Sequence, residues 1–227
     1  MSGAPGSGTG DPGSQSDPGV PESGWLGAEL REEFPGLALR YITVDRGSGR
    51  SPPEVKDRLR ELSDRFSGAQ AINLRHQTIP WAYRVFYRHI GLDPDEQPTP
   101  VEAMALERMK RGGFRSQNLL DDALTIATVE SRVALRAFDA DGADGPLGIR
   151  PSTEGEALEG RPGALPAGTL VIADQLRPLG LLFGATADGR GVHPKTKRTI
   201  VCAVGVAGVP DVSLEEALWL AAEILRS

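Results

Sequence analysis

Three polar side chains crowd the start of one apolar segment: Asn118, Asp121 and Asp122, within Gln117-Asn118-Leu119-Leu120-Asp121-Asp122. An aspartate at a helix start accepts from the free backbone N–H groups of the first turn and meets the positive end of the helix dipole. With one of the pair so used, the other is free to face a cleft, where a carboxylate among apolar neighbours binds a cation. Asn118 offers both a donor and an acceptor and can orient a carbonyl or a water. Downstream, Arg136 opens Arg136-Ala137-Phe138-Asp139. With a pKa above about 12 it is no general base, but it can bind a carboxylate or a phosphate. Its competing role is that of a surface strand arginine. Connectivity predicts that Asn118, Asp122 and Arg136 converge. A helix of about ten residues is only about 15 Å long, so the next strand folds back beside it and a long arginine reaches the helix start. Asp174 ends Leu170-Val171-Ile172-Ala173-Asp174, either as a turn residue bonding its own backbone or as a site carboxylate. Gly184, closing the apolar run from Leu179, either makes a turn or lets a ligand approach the backbone.

Two basic clusters offer contacts to phosphate. The first is Gly189-Arg190-Gly191-Val192-His193-Pro194-Lys195-Thr196-Lys197-Arg198, with His193, Lys195, Lys197 and Arg198 as its candidates. A solvated hairpin tip is the alternative. A dinucleotide fingerprint fails here because Pro194 stands where a third glycine is needed. The second is Arg108, Lys110, Arg111 and Arg115 at a helix end, where positive charge also complements the dipole. His76, His89 and His193 show no metal-ligand spacing, and neither a metal nor a cofactor is expected. The single cysteine, Cys202, lies in an apolar strand and reads as a small hydrophobe.

The elements that must hold these residues are legible from periodicity and caps. Residues 1–24 contain seven Gly, five Ser and four Pro and no Lys, Arg or aromatic, which predicts a disordered tail. Gly6-Ser7-Gly8-Thr9-Gly10 within it lacks the frame of a phosphate loop. A single domain should occupy residues 25–227. Alternation predicts a strand over 37–44. Ser51 is a candidate cap for a helix running to Phe66 with Leu59, Leu62 and Phe66 on one face. A second helix spans 79–90 with Trp81, Val85, Phe86 and Ile90 at helical spacing. Thr99-Pro100-Val101-Glu102 forms a capping box for a third, which ends at Gly112-Gly113. Residues 121–130 form a fourth. Strands are expected at 134–138, 147–150, 169–173, 179–183 and 199–206, and Ser213-Leu214-Glu215-Glu216 caps a closing helix. Helices early, strands late and a final helix give an α+β fold, helices packed on a mainly antiparallel sheet.

Composition limits the function classes. The 227 residues carry a formal net charge of −6, so a protein that grips nucleic acid by bulk charge is excluded and any such contact must be a local patch. One cysteine forbids an intramolecular disulfide. No secretory leader and no run of 18 apolar residues is present, which predicts a soluble cytoplasmic protein.

The order "Asn, two aliphatics, Asp, helix, x-Ala-Phe-Asp, turn, strand" over Gln117 to Gly145 resembles the B3/B4 domain of the phenylalanyl-tRNA synthetase beta subunit, a likeness extending roughly from Ile79 to Val206. In that enzyme the domain hydrolyses wrongly charged tRNA. The resemblance implies a tRNA-related protein with the acceptor end of tRNA as partner. It would act as a trans-acting editing domain that hydrolyses mischarged aminoacyl-tRNA. Alternatively it is a non-catalytic module that binds RNA or an aminoacyl or amino-acid ligand. The substrate set would be Asn118, Asp122, Arg136, Asp174 and Gly184, with the two basic clusters on RNA. No ATP site is supplied, so a complete synthetase is not expected. The chain departs from the family pocket at three positions. Arg136 replaces a histidine, and Leu124 and Cys202 fall near the places of a polar Asn and Glu.

Overall fold

A computed structural model describes residues 19–66 and 68–227, so most of the expected tail, and Gly6–Gly10 with it, lies outside the described residues. The chain builds three layers: helices, a central sheet, and a second sheet. Strands β1 (Glu22–Ser23), β3 (Ala38–Val44), β4 (Ala134–Asp139) and β8 (Thr199–Gly205) form the central sheet in the order β1-β3-β8-β4, all antiparallel. Strands β2 (Trp25–Leu26), β5 (Gly148–Pro151), β6 (Leu170–Ala173) and β7 (Pro178–Leu181) form the second sheet in that order. There β2 runs parallel to β5 and the other pairs are antiparallel. The architecture is α+β with mainly antiparallel sheets.

Period-two alternation divides the core. Ile42 and Val44 of β3, Leu135 of β4, and Val201 and Ala203 of β8 face the helices. The helices on that side are α2 (Pro53–Arg65), α5 (Pro100–Arg111), α6 (Leu119–Ser131) and α7 (Asp211–Arg226). Small residues line both partners where α6 meets α7, Ala123 and Ala127 against Ala217, Ala221 and Ala222, all buried. The opposite faces of the same strands present Leu39, Tyr41, Ala134, Phe138, Cys202 and Val204 to the second sheet and to α4 (Thr78–His89). The other α-helices among the described residues are the short α1 (Ala28–Glu33) and α3 (Gly68–Asn73).

Local chemistry accounts for most boundaries. Thr99 and Glu102 form the capping box of α5, and Gly112 ends that helix with φ 73°, a left-handed position open to glycine. Helix α6 ends on Arg132 at φ 67°, held by a bond from Nε to Gln77 (3.1 Å) and by a guanidinium 5.6 Å from the Phe66 ring.

Several expectations are corrected. The strand at Glu22–Ser23 lies inside the stretch read as tail: it pairs with Arg40 and Tyr41, and Gly24 packs tightly on Leu39. Helix α2 is capped by Pro52 without a side-chain bond, because the Ser51 hydroxyl is turned to Asp122 instead. Helix α7 starts at Asp211, two residues before Ser213, with no side-chain cap. In α4 the buried face is Ala82, Tyr83, Phe86 and Tyr87, while Trp81 is 49% exposed. No helix among the described residues is long and apolar enough to cross a membrane.

Candidate functional site

Asn118 is the N-cap of α6. Its Oδ1 accepts from the Asp121 backbone N–H (3.0 Å) and its Nδ2 donates to Asp121 Oδ2 (2.7 Å). Asp122 is buried and fully engaged. Its carboxylate accepts from Ser51 Oγ (2.6 Å), Ser116 Oγ (2.6 Å) and the Gln117 backbone N–H (3.0 Å). These bonds staple the segments before α2 and before α6 to one acceptor. The carboxylate that faces open space is therefore Asp121. It lines a cleft of about 300 Å³ together with Arg108, Arg111, Arg115, Gln117 and Thr125.

Arg136 lies on the other side of the central sheet, so the expected convergence with Asn118 and Asp122 does not occur. The reason is parity: Leu135 and Ala137 point toward the helices, whereas Ala134, Arg136 and Phe138 point toward the second sheet. There the guanidinium donates from Nη1 to the Leu181 carbonyl (2.9 Å) and from Nη2 to Thr186 Oγ1 (2.9 Å), and it lies 5.7 Å from the Phe138 ring. Burial lowers its pKa from the ordinary arginine value, opposed by the nearby Cys202 and Tyr87 groups. Gly180 makes the approach possible: a Cβ there would stand 3.2 Å from Arg136 Nη2 and 2.9 Å from the Ala185 carbonyl.

An aromatic wall adjoins this position. The turn after β7 carries Phe183, whose ring meets Tyr87 (4.9 Å), Tyr83 (6.1 Å) and Phe86 (6.1 Å). Burial pushes the Tyr87 hydroxyl well above the ordinary tyrosine range. Gly184 sits in that turn, where the atoms nearest an added Cβ belong to the Leu181 side chain. Asp174 is likewise occupied by turns: it accepts from the backbone N–H groups of Asp144, Leu176 and Arg177. Cys202, opposite Arg136 across the β4–β8 ladder, is buried, and its thiol is pushed up to about 12 by burial, which leaves no thiolate for nucleophilic chemistry.

The first basic loop is anchored at the end of β4. Asp139 Oδ2 accepts from Thr196 Oγ1 (2.5 Å) and lies 3.2 Å from His193 Nε2, while the Lys195 backbone N–H donates to His193 Nδ1 (3.1 Å). Both nitrogens of His193 thus serve the loop's own structure. Arg198 lies 3.4 Å from Asp45 and 3.8 Å from Asp141. Lys195 and Lys197 are exposed and make no ion pair among the described residues.

The second cluster divides. Arg108, Arg111 and Arg115 line the cleft at the start of α6, whereas Lys110 points to a different cavity with Arg75, Arg84 and Asp95. Arg108 donates to the Ser63 carbonyl (2.9 Å) and Arg111 pairs with Glu107, so among the described residues Arg108 and Arg115 both lack an ion pair. The segment between β3 and α2 connects the two clusters. The Gly49 carbonyl accepts from Leu119 N–H (3.1 Å), and Gly47 abuts the Thr196 carbonyl, which a Cβ would approach to 2.0 Å. Arg46 and Arg50 are exposed on this segment. The segment thus carries Arg50 and Arg46 between Arg115 on one side and Lys195 and Lys197 on the other, an arc of cations interrupted by the exposed Asp45. Arg136 is three residues from Asp139 along β4, a rise of about 10 Å, and faces the opposite side of the sheet, but the loop's Gly191 lies against Thr186, the partner of Arg136.

Sequence reasoning weighed both aspartates and chose Asp122 over Asp121 as the cleft carboxylate, and it missed Tyr87, Phe183 and Thr186 near Arg136. Among the described residues no cluster of His, Cys, Asp and Glu is arranged to hold a metal ion.

Comparison with known proteins adds ancestry to this geometry. Residues 82–211 match the family model "B3/4 domain". The chain is similar to the phenylalanine–tRNA ligase beta subunits of Xylella fastidiosa (strain Temecula1) and Xanthomonas oryzae pv. oryzae. Identity is 38% and 39% over 94 residues, covering 40% of this chain and 12% of each relative. With the corresponding subunit of Legionella pneumophila (strain Lens) it is 31% identical over 143 residues, 60% of this chain and 16% of the relative. The likeness thus spans less than a fifth of each of these relatives.

Proposed function

This chain belongs to the B3/4 domain family, and from that premise we propose that it binds the aminoacylated 3′ end of a tRNA and hydrolyses mischarged ester in trans. The observation that carries the reading is the arc of cations beside the inter-sheet position of Arg136. It offers phosphate contacts within reach of a half-buried polar position walled by Tyr87 and Phe183. The 3′ strand lies along Lys195, Lys197 and the Arg46–Arg50 segment, with Arg115 and Arg108 on the flank. The aminoacyl group enters between the sheets. Hydrolysis then depends on positioning a water against the ester carbonyl, which supplies much of the barrier reduction without a dedicated base.

A second reading is favoured by a specific observation: among the described residues no free base stands beside Arg136, and Cys202 is a buried thiol. On that reading the protein captures aminoacyl ends without cleaving them. A panel of mischarged tRNAs separates the two. Release of amino acid from at least one member above the spontaneous rate is expected. Binding of the same charged tRNAs with no release would establish capture alone, and absence of both would remove the tRNA reading.

A further inference from the structure

Arg136 is a cation without a counter-charge. Among the described residues it makes no ion pair; its two observed acceptors, the Leu181 carbonyl and Thr186 Oγ1, are both neutral. A half-buried charge also loses part of its solvation, and where proteins enclose arginine they ordinarily provide a carboxylate. This chain does so elsewhere. The buried Arg84 is met by Glu102 at 2.9 Å and by Asp95 at 2.5 Å, and Arg150 is met by Glu156 at 2.5 Å. Near Arg136 the neighbouring ionisable groups are Cys202 and Tyr87, each held neutral by burial. Glu102, the carboxylate that acts on Tyr87, is committed to Arg84 and to the Thr99 hydroxyl (2.8 Å).

Two of five guanidinium N–H donors are used by the protein, and the fork geometry of arginine matches the paired oxygens of a carboxylate, as it does those of a phosphate. The surroundings also provide an apolar wall. Phe183, which packs on Tyr87, lines a cavity of about 180 Å³ with Ile90, Leu92, Leu170, Leu181 and Leu182, a lining that does not include Arg136 itself. Leu181 belongs to both, giving its carbonyl to Arg136 and lining the cavity.

We propose that Arg136 is an anion subsite that selects a ligand bearing a carboxylate, so that the aminoacyl group accepted by this site is acidic, aspartyl or glutamyl. This deepens the proposed function and rests on it for the identity of the ligand as an aminoacyl end. The same chemistry would be satisfied by the α-carboxylate of a free amino acid, and the test distinguishes the two sources.

The probes are 3′-amino-3′-deoxyadenosine amides, which mimic the aminoacyl end and resist hydrolysis. Calorimetric affinities are compared for the aspartyl and glutamyl amides against the asparaginyl and glutaminyl amides, with free L-glutamate and free L-phenylalanine as further arms. A charge-assisted bidentate contact predicts at least about tenfold preference for an acidic amide over its neutral counterpart. That preference should fall toward unity in Arg136→Gln and persist in part in Arg136→Lys, with thermal unfolding checked for each variant. Retention of the preference in folded Arg136→Gln, or its absence in the unaltered protein, overturns the proposal. Tight binding of free glutamate and free phenylalanine alike, with no binding of any amide, would keep an anion subsite for α-carboxylates and sink the aminoacyl-end reading. Amides bound equally, acidic or neutral, would do the reverse.

Discussion

Asp139 holds His193: Oδ2 lies 3.2 Å from Nε2, and the same oxygen accepts from Thr196 Oγ1 at 2.5 Å. One carboxylate at the end of β4 thus sets the shape of the loop that presents Lys195 and Lys197. Because Asp139 is buried, removing it strands the Thr196 hydroxyl in the interior. Asp139→Ala is expected to cost about 2–3 kcal/mol, and His193→Ala under about 1 kcal/mol, since His193 is exposed. Hydrogen exchange at residues 193–198 should speed up in both, more in the first. Unchanged protection in Asp139→Ala would show that the loop is held by other contacts.

The adjacent aspartates at the start of α6 have separate roles. Asp122→Ala leaves Ser51 Oγ, Ser116 Oγ and the Gln117 N–H without their acceptor, and should destabilise by about 2–4 kcal/mol in denaturant titrations. Asp121→Asn removes a negative charge from a cleft lined by Arg108, Arg111 and Arg115. It should leave stability within about 1 kcal/mol and raise affinity for a polyanion severalfold. Equal destabilisation by the two substitutions would contradict this division.

The fold was legible because its signals are local. The Thr99–Glu102 box, the Gly112 stop and the alternating strands place α5, β3, β4 and β8 within a residue or two. Glu22–Ser23 was not legible, since two residues that pair with β3 leave no periodicity of their own. Arg136 shows the limit most clearly. Its parity with the buried Phe138, and against Leu135, was available in the sequence and outweighs the helix-length reasoning that placed it beside Asn118. Its acceptors at Leu181 and Thr186 are about fifty residues away, and no spacing announces them. Asp122 was misread for a related reason: its partner Ser51 carries an N-cap signature, but the chain folds so that a distant carboxylate takes that hydroxyl.

Residues 22–24 stabilise the edge of the central sheet. A chain beginning at Trp25 lacks β1 and the Gly24 N–H bond to Leu39 (2.8 Å). Relative to a chain beginning at Gly19, its melting temperature should fall by about 5 °C. Identical melting curves would return these residues to the tail.

Salt dependence tests the cation arc. Charge reversal at Lys195 and Lys197 should lower the slope of log affinity for tRNA against log salt by about one unit for each phosphate no longer bound, and Arg115→Glu should add to it. Lys110→Glu is the internal control, because that side chain lines the cavity with Arg84 and Asp95. An effect of Lys110→Glu as large as that of Lys195→Glu would place the RNA on another face.

The Arg150–Glu156 pair makes stability depend on acid in a defined direction. Glu156 accepts from Arg150 Nη1 (2.8 Å) and Nη2 (2.5 Å) and from the Thr153 backbone N–H (3.0 Å). The arginine hydrogen bonds, with the Thr153 amide, hold its carboxyl below the usual glutamate range against the opposing effect of burial. A carboxyl depressed on folding stabilises the native state above its unfolded value. That stabilisation is lost as the pH falls through the folded value. At pH 7, Glu156→Gln should cost about 1–2 kcal/mol. The difference from the unaltered protein should shrink steadily as the pH drops below about 4.3, where the unfolded carboxyl begins to take up its proton. Urea titrations of both proteins at a series of pH values measure it. A difference that stays constant down to pH values at which both proteins still fold would show that Glu156 acts through shape and neutral hydrogen bonding, with no contribution from its charge.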